Sequence, residues 1–521
     1  MHAEIQHIEN LLKQRKAAEA LSAARALVKA EPELADGWFV LGRLLQMTAD
    51  FEGMLDCAHR VRGLAPSMLG GKFQEIDALI HCGRIADALK ALDKMKNTAG
   101  NSPQILSQIG EFYTVIGAFA EADKVYAAAL AANKRDPRLA YNAATSAIAL
   151  GDLDKAEQLF NQVLAANPHD YDVYYNRATL RKQTAEKNHI AEMQKLLATE
   201  VRDANGAVQL QFALAKELED LGDYTRAFAH LKAGADLRAK MTNYNVKGDL
   251  AAMAAIAENM DTGFCSQAPA ASDEPGPIFI LGLPRTGTTL VDRILSSHSK
   301  VESLGEINDF ALALMRLAKS GGNKMDLVKR SLDLDCDELG RSYLDSSRAR
   351  SGMEGALLID KTPANFLYIG LIARALPNAK IIHLKRNPMD SCFAIYKTLF
   401  RMGYPYSYRL EYLAAYYAGY HRLMDHWHTC LPDRVMDVNY EDLVSDQETV
   451  SRKMISHCGL EWEDACLDFY KNTSASATAS AAQARQPIYK SSVEKWRHYE
   501  KELQPLKKAL EGRGIVMGEA A

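Results

Sequence analysis

Residues 277–289 read PIFILGLPRTGTT: an apolar run from Ile278 to Leu281, a turn bounded by Gly282 and Gly287, and paired threonines at Thr288 and Thr289. An apolar run, a glycine-bounded turn and a helix start together predict a strand–loop–helix unit of an α/β sheet. The inward-facing N–H groups of such a loop and the positive end of its helix make an anion site. The outline is that of a phosphate-binding P-loop, G-x-x-x-x-G-K-[ST], but Thr288 stands at the lysine position. The contact to the β- and γ-phosphates of a nucleoside triphosphate is therefore missing, and Arg285 inside the loop offers the positive charge instead.

The chain around this loop alternates strand and helix. Short apolar strands are expected at 278–281, 356–360, 381–384 and 435–438, with long helical segments between them. That order implies a central parallel sheet covered on both faces by helices, with ligands beyond the carboxyl ends of the strands. The first 260 residues follow another grammar. Ala20, Met54, Ala88, Ala122 and Ala156 recur at a spacing of 34, and Gly83, Gly117 and Gly151 stand five residues before the last three. Such a period predicts stacked helix pairs with small residues at their crossings. Between the two lies SQAPAASDEPGP, which reads as a linker. The expected division is a helical solenoid at 1–261, a linker at 262–276 and an α/β domain at 277–521.

Composition is that of a globular protein, 48% apolar and 25% charged with a formal charge of −4, which gives no sign of nucleic acid or an anionic membrane as partner. No apolar run approaches the roughly 20 residues of a membrane helix. Eight scattered cysteines without a C-x-x-C pair read as reduced thiols, an expectation that fits a cytoplasmic protein without a metal site.

The repeat, most clearly Trp38-x-x-Leu41-Gly42-x-x-Leu45 with Ala58 and Pro66, resembles the tetratricopeptide repeat. That likeness implies about seven helix pairs in a right-handed superhelix whose concave surface holds a protein or peptide. The alternative is that the solenoid only stabilises or dimerises the second half. PIFILGLPRTGTTLVDRILSSH, for its part, resembles the 5′-phosphosulfate loop of sulfotransferases that use 3′-phosphoadenosine 5′-phosphosulfate (PAPS). It is most similar to the tyrosylprotein sulfotransferases and to bacterial proteins that join tetratricopeptide repeats to such a domain.

The resemblance implies a P-loop-like α/β sulfotransferase domain in which Pro284, Arg285, Thr286, Gly287, Thr288 and Thr289 bind the cofactor. In ESLGEIN, Glu306 matches the catalytic glutamate, with Glu302 its nearby competitor. In LLIDKTP, Lys361 matches the lysine on the bridging oxygen, where charge builds as the sulfuryl group departs. In IIHLKRNPMDSCFAIY, Arg386 matches the 3′-phosphate arginine, but the family's serine eight residues later is Ala394, a departure for which Ser391 or another group in the C-terminal segment is the candidate replacement. Tyr440 in VNYEDLV matches a nucleotide-contacting tyrosine. SAAQARQPIYKSSVEKW matches the segment folding over the cofactor, with Ser480, Gln483, Tyr489 and Lys495 as contacts and Arg485 and Lys490 as further charge.

Arg285, Lys361, Arg386 and a carboxylate imply transfer of an anionic group from a nucleotide to a hydroxyl, leaving 3′,5′-adenosine bisphosphate. A protein or peptide tyrosine is the favoured acceptor; a saccharide or small-molecule hydroxyl is the alternative, and a non-catalytic repeat scaffold the alternative from another class. The aromatic stretch from Tyr404 to His428 reads either as an acceptor cleft or as a buried helix face, and His383 as a packed core histidine.

Overall fold

The computed structural model describes residues 3–517 except 200, 202, 268–274, 320–322, 401–402, 477 and 479–482. Contacts gather the chain into two compact units, Met1–Ala118 with Asn308–Arg350, and Phe119–Ile307 with Ser351–Ala521.

The first unit holds the helices from Ala3–Lys13 to Pro103–Ile116, together with those of 308–350. Ala20, Met54 and Ala88 are all buried where helices cross, which is why the 34-residue period selects small or slender side chains there. The segment 308–350 was expected in the α/β half, yet it belongs to this unit. Two arginines tie it there: the Arg350 side chain, buried and paired with Asp309 at 2.7 Å, donates 2.6 Å to the carbonyl of Ile116, and Arg316 lies 4.0 Å from Glu52.

In the second unit the repeat grammar continues from Phe119–Ala132 to Lys247–Asn259. Gly117 and Gly151 close helices in the left-handed region, at φ +91° and +87°, so the recurrent glycine is a helix stop. The expected linker begins as a helical turn, Thr262–Cys265, capped by Asp261 and burying Phe264 and Cys265; 268–274 lie outside the described residues.

The sheet has five parallel strands: β1 Ile278–Gly282, β2 Val301–Ser303, β3 Leu357–Asp360, β4 Lys380–Lys385 and β5 Val435–Asn439, in the order β2-β3-β1-β4-β5. The four expected strands form, and β2 is additional. Val301-Glu302-Ser303 has one apolar residue, too little for a strand signal, and it is ordered by pairing with β3. Ile278 and Ile280 of β1 pack with Ile382 and Leu384 of β4 and with Val291 and Leu295 of the following helix in one buried core. Among the described residues no helix is long and apolar enough to cross a membrane.

Candidate functional site

The loop after β1 runs to the helix Thr288–Leu295, with Gly287 at its N-cap. Gly287 has φ +108°, and a Cβ there would meet the Tyr440 ring at 2.6 Å. Both facts require glycine. Gly287→Ala is expected to destabilise the protein by about 1–3 kcal/mol through strain and the ring contact, read as a lowered midpoint in thermal unfolding.

Glu306 and Lys361 are brought together by the end of β3. Leu304 N–H bonds the carbonyl of Ile359, Lys361 N–H that of Gly305 and Thr362 Oγ1 that of Ile307, so the chain through Glu306 runs beside the strand end. Lys361 is fully buried, and its ammonium donates to Oε1 of the half-exposed Glu306. Asp292, buried in the helix after the loop, lies near enough to feel Lys361; burial raises its carboxyl above the ordinary range. Glu302 points elsewhere. It accepts from Ser351 Oγ, from Gly352 N–H at 2.9 Å and from Met353 N–H at 3.1 Å, and so holds a turn.

Arg386 follows β4 and ties three segments. Its guanidinium donates 3.0 Å to the carbonyl of Arg285 and 2.6 Å to that of Ser492, and lies 4.7 Å from the Tyr440 ring centroid. Tyr440 in turn bonds Ser492 Oγ at 2.6 Å. Asp390 accepts from the N–H groups of Glu494 and Trp496, clamping the C-terminal segment over the helix Pro388–Tyr396. Beneath that segment lies a cavity of about 160 Å³, lined by Arg285, Gly287, Thr289, Arg386, Tyr440 and Tyr489 among others.

A second cavity, of about 870 Å³, shares Arg285, Lys397, Gln483 and Lys495 with the first. Glu306 lines it, and so do Asp172, Tyr175, Asn176 and Gln209 from repeat helices. At the junction, Glu219 of the repeat helix Ala204–Asp220 accepts from Lys495 at 2.5 Å, Lys397 at 2.8 Å and the Tyr499 hydroxyl at 2.9 Å. Burial pushes the Glu219 carboxyl up, but the two ammonium groups more than offset it and hold it at about 2. Burial brings Lys397 down to about 8.

The structure thus gathers Arg285, Gly287, Thr289, Arg386, Tyr440, Gln483, Tyr489 and Lys495 around one cavity, and Glu306 around the adjoining one. Pro284, Thr286 and Thr288 are buried within the loop, with Thr286 Oγ1 bonded to the carbonyl of Leu283. Ser391 does not reach the site: its hydroxyl donates to the carbonyl of Arg386, while Ala394 lines the first cavity. Arg485 donates to the carbonyls of Ala149 and Ser474, Lys490 lines neither cavity, and Ser480 lies outside the described residues. The aromatic stretch forms the helix Leu410–Cys430, where Leu413, Tyr416, Tyr417 and Tyr420 are buried, as a packed face requires.

Two residues at the junction escaped the sequence reading. Lys397 caps a helix C-terminus, where a lysine ordinarily complements the dipole. Glu219 lies in repeat grammar far from the loop in sequence, and nothing local marks it.

Comparison with known proteins finds likenesses for both parts of the chain. Residues 277–464 match the model of the sulfotransferase family, and 6–48 and 117–181 match tetratricopeptide repeats. The α/β part is therefore similar to sulfotransferase domains over 277–464. An uncharacterized protein of Aquifex aeolicus (strain VF5) is 34% identical over 308 residues, 57% of this chain and 40% of that protein. Protein-tyrosine sulfotransferase 1 of Danio rerio is 27% identical over 197 residues, 36% of this chain and 55% of that one. The chain spans about half the length of the curated relatives it matches. Among solved structures, the sulfotransferase domain of the Synechococcus PCC 7002 olefin synthase aligns at 22% identity with a TM-score of 0.31, covering 44% of this chain and 90% of that domain.

Proposed function

We propose that the protein is a sulfotransferase that moves the sulfuryl group of PAPS to an acceptor hydroxyl, with a protein or peptide tyrosine as the acceptor. One observation carries this reading. A cation-rich cavity under the loop meets, at Arg285, a larger cavity that holds the carboxylate of Glu306 and is walled by repeat helices.

The donor set suits PAPS. Arg285, the loop N–H groups and the first turn of Thr288–Leu295 would hold a short 5′ anion. Arg386, whose buried Nε has no partner among the described residues, would hold the 3′ end with Lys397 and Lys495. Tyr440 and Tyr489 flank the space between. Ala394 leaves that end one hydroxyl short of the family pattern, and Lys397 lies within reach of the same wall. When bound, PAPS supplies the sulfuryl group on a single phosphate. A phenol of pKa about 10 is a poor nucleophile near neutrality until its proton is taken, and Glu306 is the group aimed into the larger cavity to take it. Lys361 keeps Glu306 oriented and places a buried positive charge beside the reaction. The repeat wall supports a peptide acceptor, because Asp172, Tyr175, Asn176 and Gln209 give polar and aromatic contacts beyond the reacting residue.

Calorimetric titration of the full chain tests the cofactor. Binding of 3′,5′-adenosine bisphosphate tighter than that of ATP–Mg supports the reading, and the reverse order overturns it. The affinity also carries a pH signature. Lys397 is protonated below about 8 and loses its charge as the pH rises through that value. Affinity for the bisphosphate is therefore expected to fall between about pH 7 and pH 9, more steeply than in Lys397→Gln.

A further inference from the structure

The register of the sheet builds a second constellation outside the two cavities described above. His383 of β4 and Asp437 of β5 are paired in register, so their side chains leave the same face of the sheet. The helix Leu410–Cys430 covers that face and contributes His428. His383 Nδ1 lies 2.7 Å and His428 Nε2 3.0 Å from the same atom, Asp437 Oδ1. The three candidate ligand atoms all lie within 4.8 Å of one another. His383 is buried, whereas His428 and Asp437 are about a third exposed and face a cavity of about 420 Å³.

We infer that His383, His428 and Asp437 form a binding site for a divalent transition-metal ion of the zinc class, with water from the cavity completing the coordination. Two imidazole nitrogens and one carboxylate oxygen suit a borderline cation better than calcium or magnesium, which take oxygen ligands. The separations are those of hydrogen bonds around a shared oxygen, and small side-chain rotations open them to ligand spacing about an ion at roughly 2.0–2.2 Å.

The surroundings supply the outer contacts such a site needs. His383 Nε2 is bonded to the Tyr420 hydroxyl. A phenolic hydroxyl both donates and accepts, so His383 can shift its proton from Nδ1 to Nε2, freeing Nδ1 for the ion while Nε2–H donates to Tyr420. Lys385 holds the other oxygen of Asp437 at 3.2 Å, which leaves Oδ1 as a monodentate ligand. His421 and Asp425, paired at 3.0 Å, also line the cavity and are the nearby competitors for the ion. Bound there, the ion would pin β4, β5 and the helix together three residues before Arg386. The role is structural and independent of the proposed transfer chemistry.

Titration of the metal-stripped 521-residue chain with Zn²⁺ alone tests the site. One equivalent should bind, with the affinity lowered at least about 100-fold in His428→Ala and in Asp437→Asn, and about 10–100-fold in Tyr420→Phe. Zn²⁺ should raise the thermal midpoint of the wild type and not that of His428→Ala. His428 is partly exposed, so this variant keeps its fold, which circular dichroism checks. Absence of saturable binding, or binding that His428→Ala leaves unchanged, overturns the inference. Unchanged affinity in Tyr420→Phe overturns the proton shift.

Discussion

Glu306→Gln is expected to lower sulfuryl transfer by about 10²–10⁴-fold while leaving the affinity for 3′,5′-adenosine bisphosphate within a few-fold of the wild type. The amide retains an oxygen that can accept from Lys361, so the geometry of the strand end is preserved and only the base is removed. The nucleotide affinity should hold because the cations of the smaller cavity, Arg285, Arg386, Lys397 and Lys495, are untouched. Glu302→Gln is the matched control. Glu302 holds the turn at 351–353 through backbone N–H groups, so its loss should weaken the fold locally and spare the transfer step. Single-turnover rates for the two variants separate the roles. Full activity in Glu306→Gln would contradict the assignment of the base.

Glu219→Ala is expected to lower stability by roughly 3 kcal/mol, because it strands the partly buried ammonium groups of Lys397 and Lys495 and removes the acceptor of the Tyr499 hydroxyl. The loss lies at the low end for a broken buried pair, since Lys495 is 32% exposed. Burial opposes the charge on Glu219, and the two lysines hold it at about 2 even so, below its ordinary 4.5. A depressed carboxyl contributes stability above its ordinary pKa and loses that contribution as the pH falls toward the folded value. Denaturant unfolding should accordingly show the wild type losing stability between about pH 4.5 and pH 2, and Glu219→Gln losing less over the same window. Equal acid sensitivity of the two proteins would remove Glu219 from the junction.

Much of the fold could be read from the sequence because local physics dictates it. The 34-residue recurrence survives as the buried crossings at Ala20, Ala88, Ala122 and Ala156. Four strands were visible as apolar runs, and the loop from Gly282 to Gly287 was marked by the backbone freedom that only glycine supplies. What escaped depends on distant partners. β2 exists because β3 pairs with it, and 308–350 joins the first unit through partners far away in sequence, Arg350 on the carbonyl of Ile116 and Arg316 beside Glu52 among them. Ser391 stands one helical turn from Ala394 in sequence, but its hydroxyl is satisfied by the backbone of Arg386. Glu219 reaches Lys495 across 276 residues of sequence, a pairing that no periodicity records.

The proposed chemistry rests on a hydroxyl receiving the sulfuryl group beside Glu306. Incubation of the 521-residue chain with isotopically labelled PAPS and a panel of tyrosine peptides and glycans, read by mass spectrometry, tests that claim most directly. Label is expected on peptide tyrosine, dependent on Glu306. Label on glycan hydroxyls alone would contradict the acceptor, and no labelled product with any member of the panel would contradict the proposed activity itself.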